Sequence, residues 1–169
     1  SAGDPVGRRQ NPLLIGALLV GWVVWTWFMP PALAARIDPY VSRYLKVTQP
    51  VSLKADATGV EQSFTAQDLS AGKQLFESNC INCHVGGATL PNPRVSLSLA
   101  DLHGATPPRD NIEALVNFIR QPHNYDGTQD SYTCRELSPQ SVGDREVAQL
   151  AAFILQAAQV APGWGSKDF

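Results

Sequence analysis

Hydrophobic residues recur at three- and four-residue steps in three segments of the chain, and this spacing predicts three amphipathic helices. The first follows Thr65-Ala66-Gln67-Asp68, which has the hydroxyl-x-x-acid spacing of a helix start. The second starts near Asp110 and ends before Pro122, and the third starts near Asp144 and ends before Pro162. The apolar stripes consist of Leu69, Gly72, Phe76 and Cys80, then Ile112, Leu115, Val116 and Ile119, then Val147, Ala151, Ile154, Leu155 and Ala158. The pattern predicts a mostly α-helical domain.

The stretches outside these helices carry weaker patterns. In residues 35–64, the alternation of Val51-Ser52-Leu53-Lys54 predicts an extended lead-in with a short hairpin. Polar loops are predicted at 85–109 and 121–143, and the second exceeds the usual helix-to-helix length, which favours a function for it. Gly72 on the first stripe either lets the first helix cross the last closely or is merely tolerated.

The N-terminal segment, residues 1–34, is predicted not to belong to the fold. Charged residues up to Arg9 precede a 17-residue apolar run at 13–29, and small residues ending at Ala34 follow it. This order is typical of a secretory signal peptide cleaved after an Ala-x-Ala-like site. A retained membrane anchor is the alternative, since the run reaches the short limit of a spanning helix. Both hypotheses place the remaining chain outside the cytoplasm.

Composition narrows the class of protein. The 169 residues are 44% apolar and 17% charged, as in one ordinary globular domain. A net charge of -2 without a dense Lys/Arg cluster excludes nucleic-acid wrapping. The three cysteines cannot all pair within one chain, so a disulfide framework is not predicted. We therefore divide the chain into residues 1–34, a lead-in at 35–64 and one main domain at 65–169.

The segment Cys80-Ile81-Asn82-Cys83-His84 carries the candidate chemistry. It has the Cys-x-x-Cys-His spacing of a c-type haem attachment site. Two thiols three positions apart reach the two vinyl groups on one edge of a porphyrin and form thioethers, and the adjacent imidazole binds the iron. Cys80 and Cys83 are therefore predicted to attach one haem c covalently, with His84 as the proximal ligand. Because this attachment is made outside the cytoplasm, it agrees with the predicted export.

Two other uses of the cysteines fit less well. A thioredoxin-like redox pair would head a helix that follows a strand, whereas here the predicted helix precedes the pair. A structural zinc site would need a second ligand pair at zinc-finger spacing, and the chain offers only Cys134 and two distant histidines.

The sixth iron position has three candidate ligands. The single methionine, Met29, lies in the export segment, which excludes a Met/His pair in the mature domain. Cys134, His103 and His123 remain. We favour Cys134, because a free thiol in an exported protein is otherwise an oxidation liability. An inert buried thiol is the alternative for Cys134. His103 and His123 are interpreted as surface or propionate-contacting histidines, and either is an alternative ligand if the thiolate is lost on reduction.

A thiolate ligand has consequences for redox chemistry. Its negative charge stabilises ferric over ferrous iron, so the midpoint potential is predicted to be low. Arg135, next to Cys134, is predicted to help keep the thiol deprotonated. A filled sixth position leaves no place for substrate, which favours electron transfer over enzymatic activation.

The sequence resembles the PsbV family, the extrinsic low-potential cytochrome c on the lumenal side of photosystem II in cyanobacteria. The resemblance runs from about Leu69 to the C-terminus. It is most specific at residues 80–87 (CINCHVGG), Asn92-Pro93, residues 105–113 (ATPPRDNIE), Tyr125-Asp126-Gly127 and Trp164-Gly165. The resemblance implies a mostly helical cytochrome c fold, with Cys80 and Cys83 as attachment points and His84 as the proximal ligand.

The chain departs from PsbV at the distal ligand. PsbV uses a histidine shortly after the segment that matches Tyr125-Asp126-Gly127, and this chain has no histidine after His123. By gapless counting, Arg135 occupies that position and Cys134 precedes it. This pattern is similar to the PsbV-like second paralogue, for which the resemblance implies a cysteine ligand.

Three functions are compatible with these features. The leading hypothesis is a low-potential electron carrier in the thylakoid lumen, peripheral to the membrane, that substitutes partly for PsbV. Its partners would be lumenal photosystem II subunits or a soluble redox protein. The alternatives are a structural subunit that stabilises the lumenal face of photosystem II around a redox-silent haem, and a thiolate-ligated redox or gas sensor, for which no partner domain is present.

Overall fold

Five α-helices and a two-stranded sheet form the described part of the computed structural model, which covers residues 36–90 and 95–166. The helices are α1 (Pro39–Arg43), α2 (Ala66–Asn79), α3 (Leu99–Gly104), α4 (Ile112–Arg120) and α5 (Asp144–Val160), and the strands are β1 (Val51–Lys54) and β2 (Glu61–Phe64). The helices predicted from hydrophobic spacing correspond to α2, α4 and α5, so the mostly helical fold is confirmed. The predicted export segment at 1–34 lies outside the described residues, and the division into three parts stays a prediction.

Each main helix begins at a cap, and the cap of α2 has the spacing found in the sequence. The Thr65 hydroxyl accepts a hydrogen bond from the Asp68 backbone N–H at 3.1 Å, and the Asp68 carboxylate accepts one from the Thr65 N–H at 3.0 Å. The Asn111 side chain caps α4 by accepting a hydrogen bond, at 2.9 Å, from the backbone N–H of the residue three positions later. At α5, the Glu146 carboxylate accepts the N–H of Gly143 at 2.8 Å. These bonds satisfy donors that a helix start otherwise leaves unpaired.

Helices α2 and α5 cross closely at Gly72. A β-carbon at Gly72 would lie 2.0 Å from the carbonyl oxygen of Gln149 and 3.0 Å from the β-carbon of Phe153. The glycine therefore lets the two backbones approach, and mere tolerance, the other interpretation, is wrong. The largest fully buried side chains of the core are Phe153, Leu53, Leu69, Leu150, Leu155, Val41 and Val147.

The lead-in holds the predicted hairpin and a helix that was not predicted. Strands β1 and β2 pair antiparallel, with Val51 opposite Phe64. Helix α1 has five residues and begins where the Asp38 carboxylate accepts the N–H of Tyr40 at 2.7 Å. Helix α3, with six residues, interrupts the predicted loop at 85–109 after its cap at Ser98. Both helices are too short to show a hydrophobic period, so the caps were their only sequence signal.

None of the helices within residues 36–90 and 95–166 combines the length and the hydropathy that crossing a membrane requires.

Replacing Asp68 with Asn is expected to destabilise the fold by about 1 kcal/mol, because Asp68 joins a helix cap to a contact between helices. Its carboxylate accepts hydrogen bonds from Gln149 at 2.8 Å and from Arg145 at 3.2 Å, both on α5. Partial burial alone would raise the pKa of Asp68, but the bonds from Thr65, Gln149 and Arg145 outweigh it and hold the pKa well below its usual range.

The pH dependence of this effect has a definite sign. A carboxyl whose pKa is depressed by folding adds stability above its unfolded pKa, about 3.9, and that stability is lost as the pH falls through the folded value. Urea unfolding of Asp68→Asn and of the wild type should therefore differ at pH 7 and converge in acid. Asp56→Asn is the control, since Asp56 bonds Thr58 within one exposed turn and should cost less. Equal unfolding midpoints at pH 7 for the wild type and Asp68→Asn would contradict the prediction.

Candidate functional site

A cavity of about 350 Å³ brings together candidate ligands that lie far apart in the sequence. Cys83, His84 and Cys134 all line it, and the rest of the lining is largely apolar, including Leu102 and Phe118. This volume lies in the range of cofactor sites. The predicted loop at 121–143 therefore reaches the same cavity as the end of α2.

The end of α2 leads the chain tightly into the cysteine segment. The backbone N–H of Cys80 donates to the Phe76 carbonyl at 2.8 Å, and the N–H groups of Cys83 and His84 donate back to the Cys80 carbonyl at 3.1 and 2.9 Å. This turn spaces the two thiols and places the imidazole directly after them. Cys83 is exposed, whereas Cys80 is half-buried and packs against the core.

Burial and neighbouring sulfur atoms affect the Cys80 thiol. Burial raises the pKa of Cys80 to about 12, with added contributions from Cys134 and Cys83. Cys83 and Cys134 line the cavity, whereas Cys80 packs against the core.

A hydrogen bond sets the tautomer of His84. The Thr89 hydroxyl donates to the Val95 carbonyl at 2.6 Å, which leaves its oxygen to accept from His84 Nδ1 at 3.0 Å. With the proton on Nδ1, the lone pair on Nε2 is free to bind a metal. Burial lowers the pKa of His84, against the opposing effect of a bond to the backbone of Ala88, and so favours the neutral imidazole.

A tight backbone turn after His84 is packed beneath an aromatic ring. Gly87 has a φ of 79°, and a β-carbon there would lie 2.5 Å from the Trp164 ring. The Trp164 indole N–H donates to the Leu97 carbonyl at 2.9 Å, and its ring lies 5.5 Å from that of Phe76. The C-terminal tryptophan of the PsbV-like motif thus supports the segment that carries the imidazole.

Arg109 anchors the loop that carries Cys134. Its Nη2 donates to the carbonyls of His123 at 3.2 Å and Asn124 at 2.6 Å, and its guanidinium carbon lies 3.9 Å from the centre of the Phe118 ring. The side chain of Arg109 is 8% exposed and lines the cavity. Burial raises the pKa of Cys134, and the positive charge of Arg109 partly opposes this effect. The cation that acts on Cys134 is therefore Arg109, and the prediction that Arg135 takes this role was wrong, since Arg135 is exposed.

The residues present fit a haem. Among the described residues, Nε of Arg109 is a buried donor without a hydrogen-bond partner. A haem carries carboxylates that pair with such a cation, a flat apolar ring that suits the Leu and Phe lining, and an iron that takes nitrogen and sulfur ligands. Cys80 and Cys83 would hold the ring, and His84 and Cys134 would hold the iron.

The two remaining histidines differ in which cavities they line. The His103 side chain is 73% exposed, and its Nδ1 lies 2.8 Å from an Asp110 carboxylate oxygen. It lines a second cavity of about 530 Å³ and not the first. His123 lines both the first and the second cavity.

Thr89 and Arg109 are site residues that the sequence analysis missed. No local spacing connects Thr89 with the imidazole. Arg109 lies within the string at 105–113 that resembles PsbV, but no local spacing connects it with Cys134.

The helical fold and this cavity define a c-type cytochrome. The chain belongs to the cytochrome c-550 family, whose domain model matches residues 44–169.

Named relatives cover most of the chain. A cytochrome c-550-like protein from Synechococcus sp. strain JA-3-3Ab is 58% identical over 86% of this chain and 83% of its own. The photosystem II extrinsic protein V of Gloeobacter violaceus is 55% identical over 79% of this chain and 72% of its own. The crystal structure of the PsbV2 cytochrome from Thermosynechococcus elongatus is 58% identical and superposes with a TM-score of 0.75, covering 77% of this chain and 99% of that one.

Proposed function

We propose that this protein is a low-potential monohaem cytochrome with His84 and Cys134 as axial ligands. The observation that carries the proposal is that Cys83, His84 and Cys134 line one cavity, although the third lies 50 residues beyond the second in the sequence. Family membership implies a covalently bound haem c. The single Cys-x-x-Cys-His segment supports one haem, joined to Cys80 and Cys83.

His84, Cys134 and Arg109 have different roles in the cavity. When bound, the haem supplies a one-electron couple at its iron. His84 keeps its proton on Nδ1, toward Thr89, and would hold the iron through Nε2. Cys134 would hold the iron through its sulfur, and Arg109 would supply the opposite charge that a buried thiolate requires. Most of the lining area is apolar, which strengthens the electrostatic effect of a thiolate.

The double variant Cys80→Ala/Cys83→Ala is expected to lack both thioether bonds to the haem. Acid–acetone extraction should then release haem that the wild type retains, because thioethers resist this treatment and axial bonds do not. Cys134→Ala is the control, and it should keep its haem through extraction. Retention of haem by the double variant would contradict attachment at Cys80 and Cys83.

The named relatives support a cellular location and partners for this protein. One relative is named as a photosystem II extrinsic protein, which supports association with photosystem II. We propose on this basis that the chain works in the thylakoid lumen, peripheral to the membrane. Lumenal photosystem II subunits or a soluble redox protein would be its partners, and partial substitution for PsbV is part of the proposal.

A redox titration of the purified holoprotein tests the function. The midpoint potential should lie well below that of a His/Met-ligated cytochrome c measured in the same cell. Binding to salt-washed photosystem II together with a haem that no physiological donor reduces would favour the structural alternative.

A further inference from the structure

The outward side of the lead-in carries cations and exposed apolar groups together. Val41, Leu45 and Val47 are 0%, 2% and 4% exposed, so they mark the side of this segment that faces the core. The backbone N–H of Val47 donates to the Val41 carbonyl at 3.2 Å, which keeps the segment compact after helix α1. Other residues of the segment are exposed. The exposed set that we call the basic surface consists of Arg36, Ile37, Arg43, Tyr44 and Lys46.

The charges of the basic surface are not balanced by its neighbours. Its three cations form no ion pair with any other described residue. Asp38, which caps α1, binds Lys73 at 3.1 Å, and Lys73 also pairs with Glu77. This neighbouring group has a net charge of -1, so the basic surface and its surroundings together carry +2, whereas the whole chain carries -2. The surface therefore attracts anionic partners.

Apolar groups lie among these cations. The exposed fraction is 44% for Ile37 and 55% for Tyr44. The Tyr44 ring stacks on that of Tyr40 with the centres 5.2 Å apart, and the Tyr40 ring lies 6.2 Å from that of Phe153 in the core. Tyr44 is therefore held at the surface by a ring that is itself anchored. Tyrosine, with an apolar body and a polar tip, is typical of the membrane–water interface.

The place of the basic surface in the sequence points to the kind of partner. Arg36 follows the end of the apolar run at 13–29 by seven residues. As a signal peptide or as an anchor, that run is expected to enter a membrane. Anionic lipid headgroups attract the cations, and the boundary beneath the headgroups takes up exposed Ile and Tyr side chains. An acidic protein surface would match only the charges.

We propose that the basic surface binds an anionic lipid bilayer, with its cations at the headgroups and with Ile37 and Tyr44 at the boundary below them. The lead-in then faces the membrane. This proposal rests on the peripheral location in the proposed function, and it does not depend on which residues bind the iron.

Hydrogen–deuterium exchange of the holoprotein on lipid vesicles tests the proposal. Residues 36–48 should exchange more slowly on phosphatidylcholine vesicles that contain phosphatidylglycerol, and at an unchanged rate on phosphatidylcholine alone. Raised salt should reverse this protection, because salt screens exposed charges. The readout is local, so it reports on the basic surface whether or not residues 1–34 are retained.

Two variants separate the basic surface from an effect of net charge. Arg43→Gln/Lys46→Gln should lose the protection, because removing two cations near an anionic surface weakens binding by about thirtyfold. The matched control, Lys54→Gln/Arg135→Gln, removes two exposed cations from other segments and should keep the protection. Covalent haem content and far-ultraviolet circular dichroism check that each variant has folded.

Several results would overturn the proposal. Equal protection on both kinds of vesicle, no protection on phosphatidylglycerol, or equal loss in both double variants would each do so. Protection of residues 36–48 by photosystem II but not by vesicles would assign the basic surface to an acidic protein partner instead. The proposed function fails separately, in the redox titration, since the midpoint potential of the iron does not depend on lipid binding.

Discussion

The Cys134→Ser variant is expected to have a midpoint potential higher by on the order of 100 mV or more. The thiolate places a negative charge on the iron in an apolar cavity, where it stabilises the ferric state. A hydroxyl, or a water molecule in its place, is neutral and removes this preference. The sign of the shift is therefore the same whichever neutral ligand replaces the sulfur.

Spectroelectrochemical titration of the wild type and the Cys134→Ser variant measures this shift. Thr133→Ala is the matched control, because Thr133 lines the same cavity on the same segment but carries no charge. Its potential should remain close to that of the wild type. Equal potentials in the wild type and Cys134→Ser would show that the sulfur does not set the redox state of the iron.

The Gly72→Val variant is expected to lose about 3 kcal/mol or more of its free energy of unfolding, at the upper end of overpacking costs. Even a single β-carbon would lie 2.0 Å from the Gln149 carbonyl oxygen, which belongs to a rigid helix. The two helices must separate, and the aromatic packing of Phe153 is lost with them. Against a typical domain stability of about 5–15 kcal/mol, this loss is large.

Urea unfolding of the holoprotein checks this expectation. Gly143→Ala is the control, since Gly143 has a φ of -66° and its added carbon would meet only the end of the Glu146 side chain, at 3.3 Å. That variant should lie within about 1 kcal/mol of the wild type. Normal unfolding of Gly72→Val would show that the close crossing of α2 and α5 is not required.

Local signals explain which elements could be predicted from the sequence. The capping pairs at Thr65 and Asn111, the prolines beyond α4 and α5, and the strand alternation at 51–54 act over a few residues, and the structure has all of these elements. Helix α3 was not predicted, because six residues are too few to show a hydrophobic period. Gly72 had two interpretations because a contact with Gln149 lies 77 residues away and leaves no local trace.

The candidate site also contains residues that local sequence spacing predicts and residues that only the fold reveals. The Cys-x-x-Cys-His spacing is local, so Cys80, Cys83 and His84 could be predicted directly. Cys134 was favoured because a free thiol is an oxidation liability and because the PsbV-like resemblance implies a cysteine ligand. Its presence in the same cavity required the fold. Sequence proximity favoured Arg135 as its cation, but that side chain is exposed, whereas Arg109 is buried on the cavity wall.

Iron K-edge X-ray absorption of the ferric holoprotein tests the central claim most directly, because it identifies the atoms bound to the iron. The account predicts one sulfur neighbour, from Cys134, together with the nitrogens of the porphyrin and of His84. A first shell made of nitrogen and oxygen alone would contradict it.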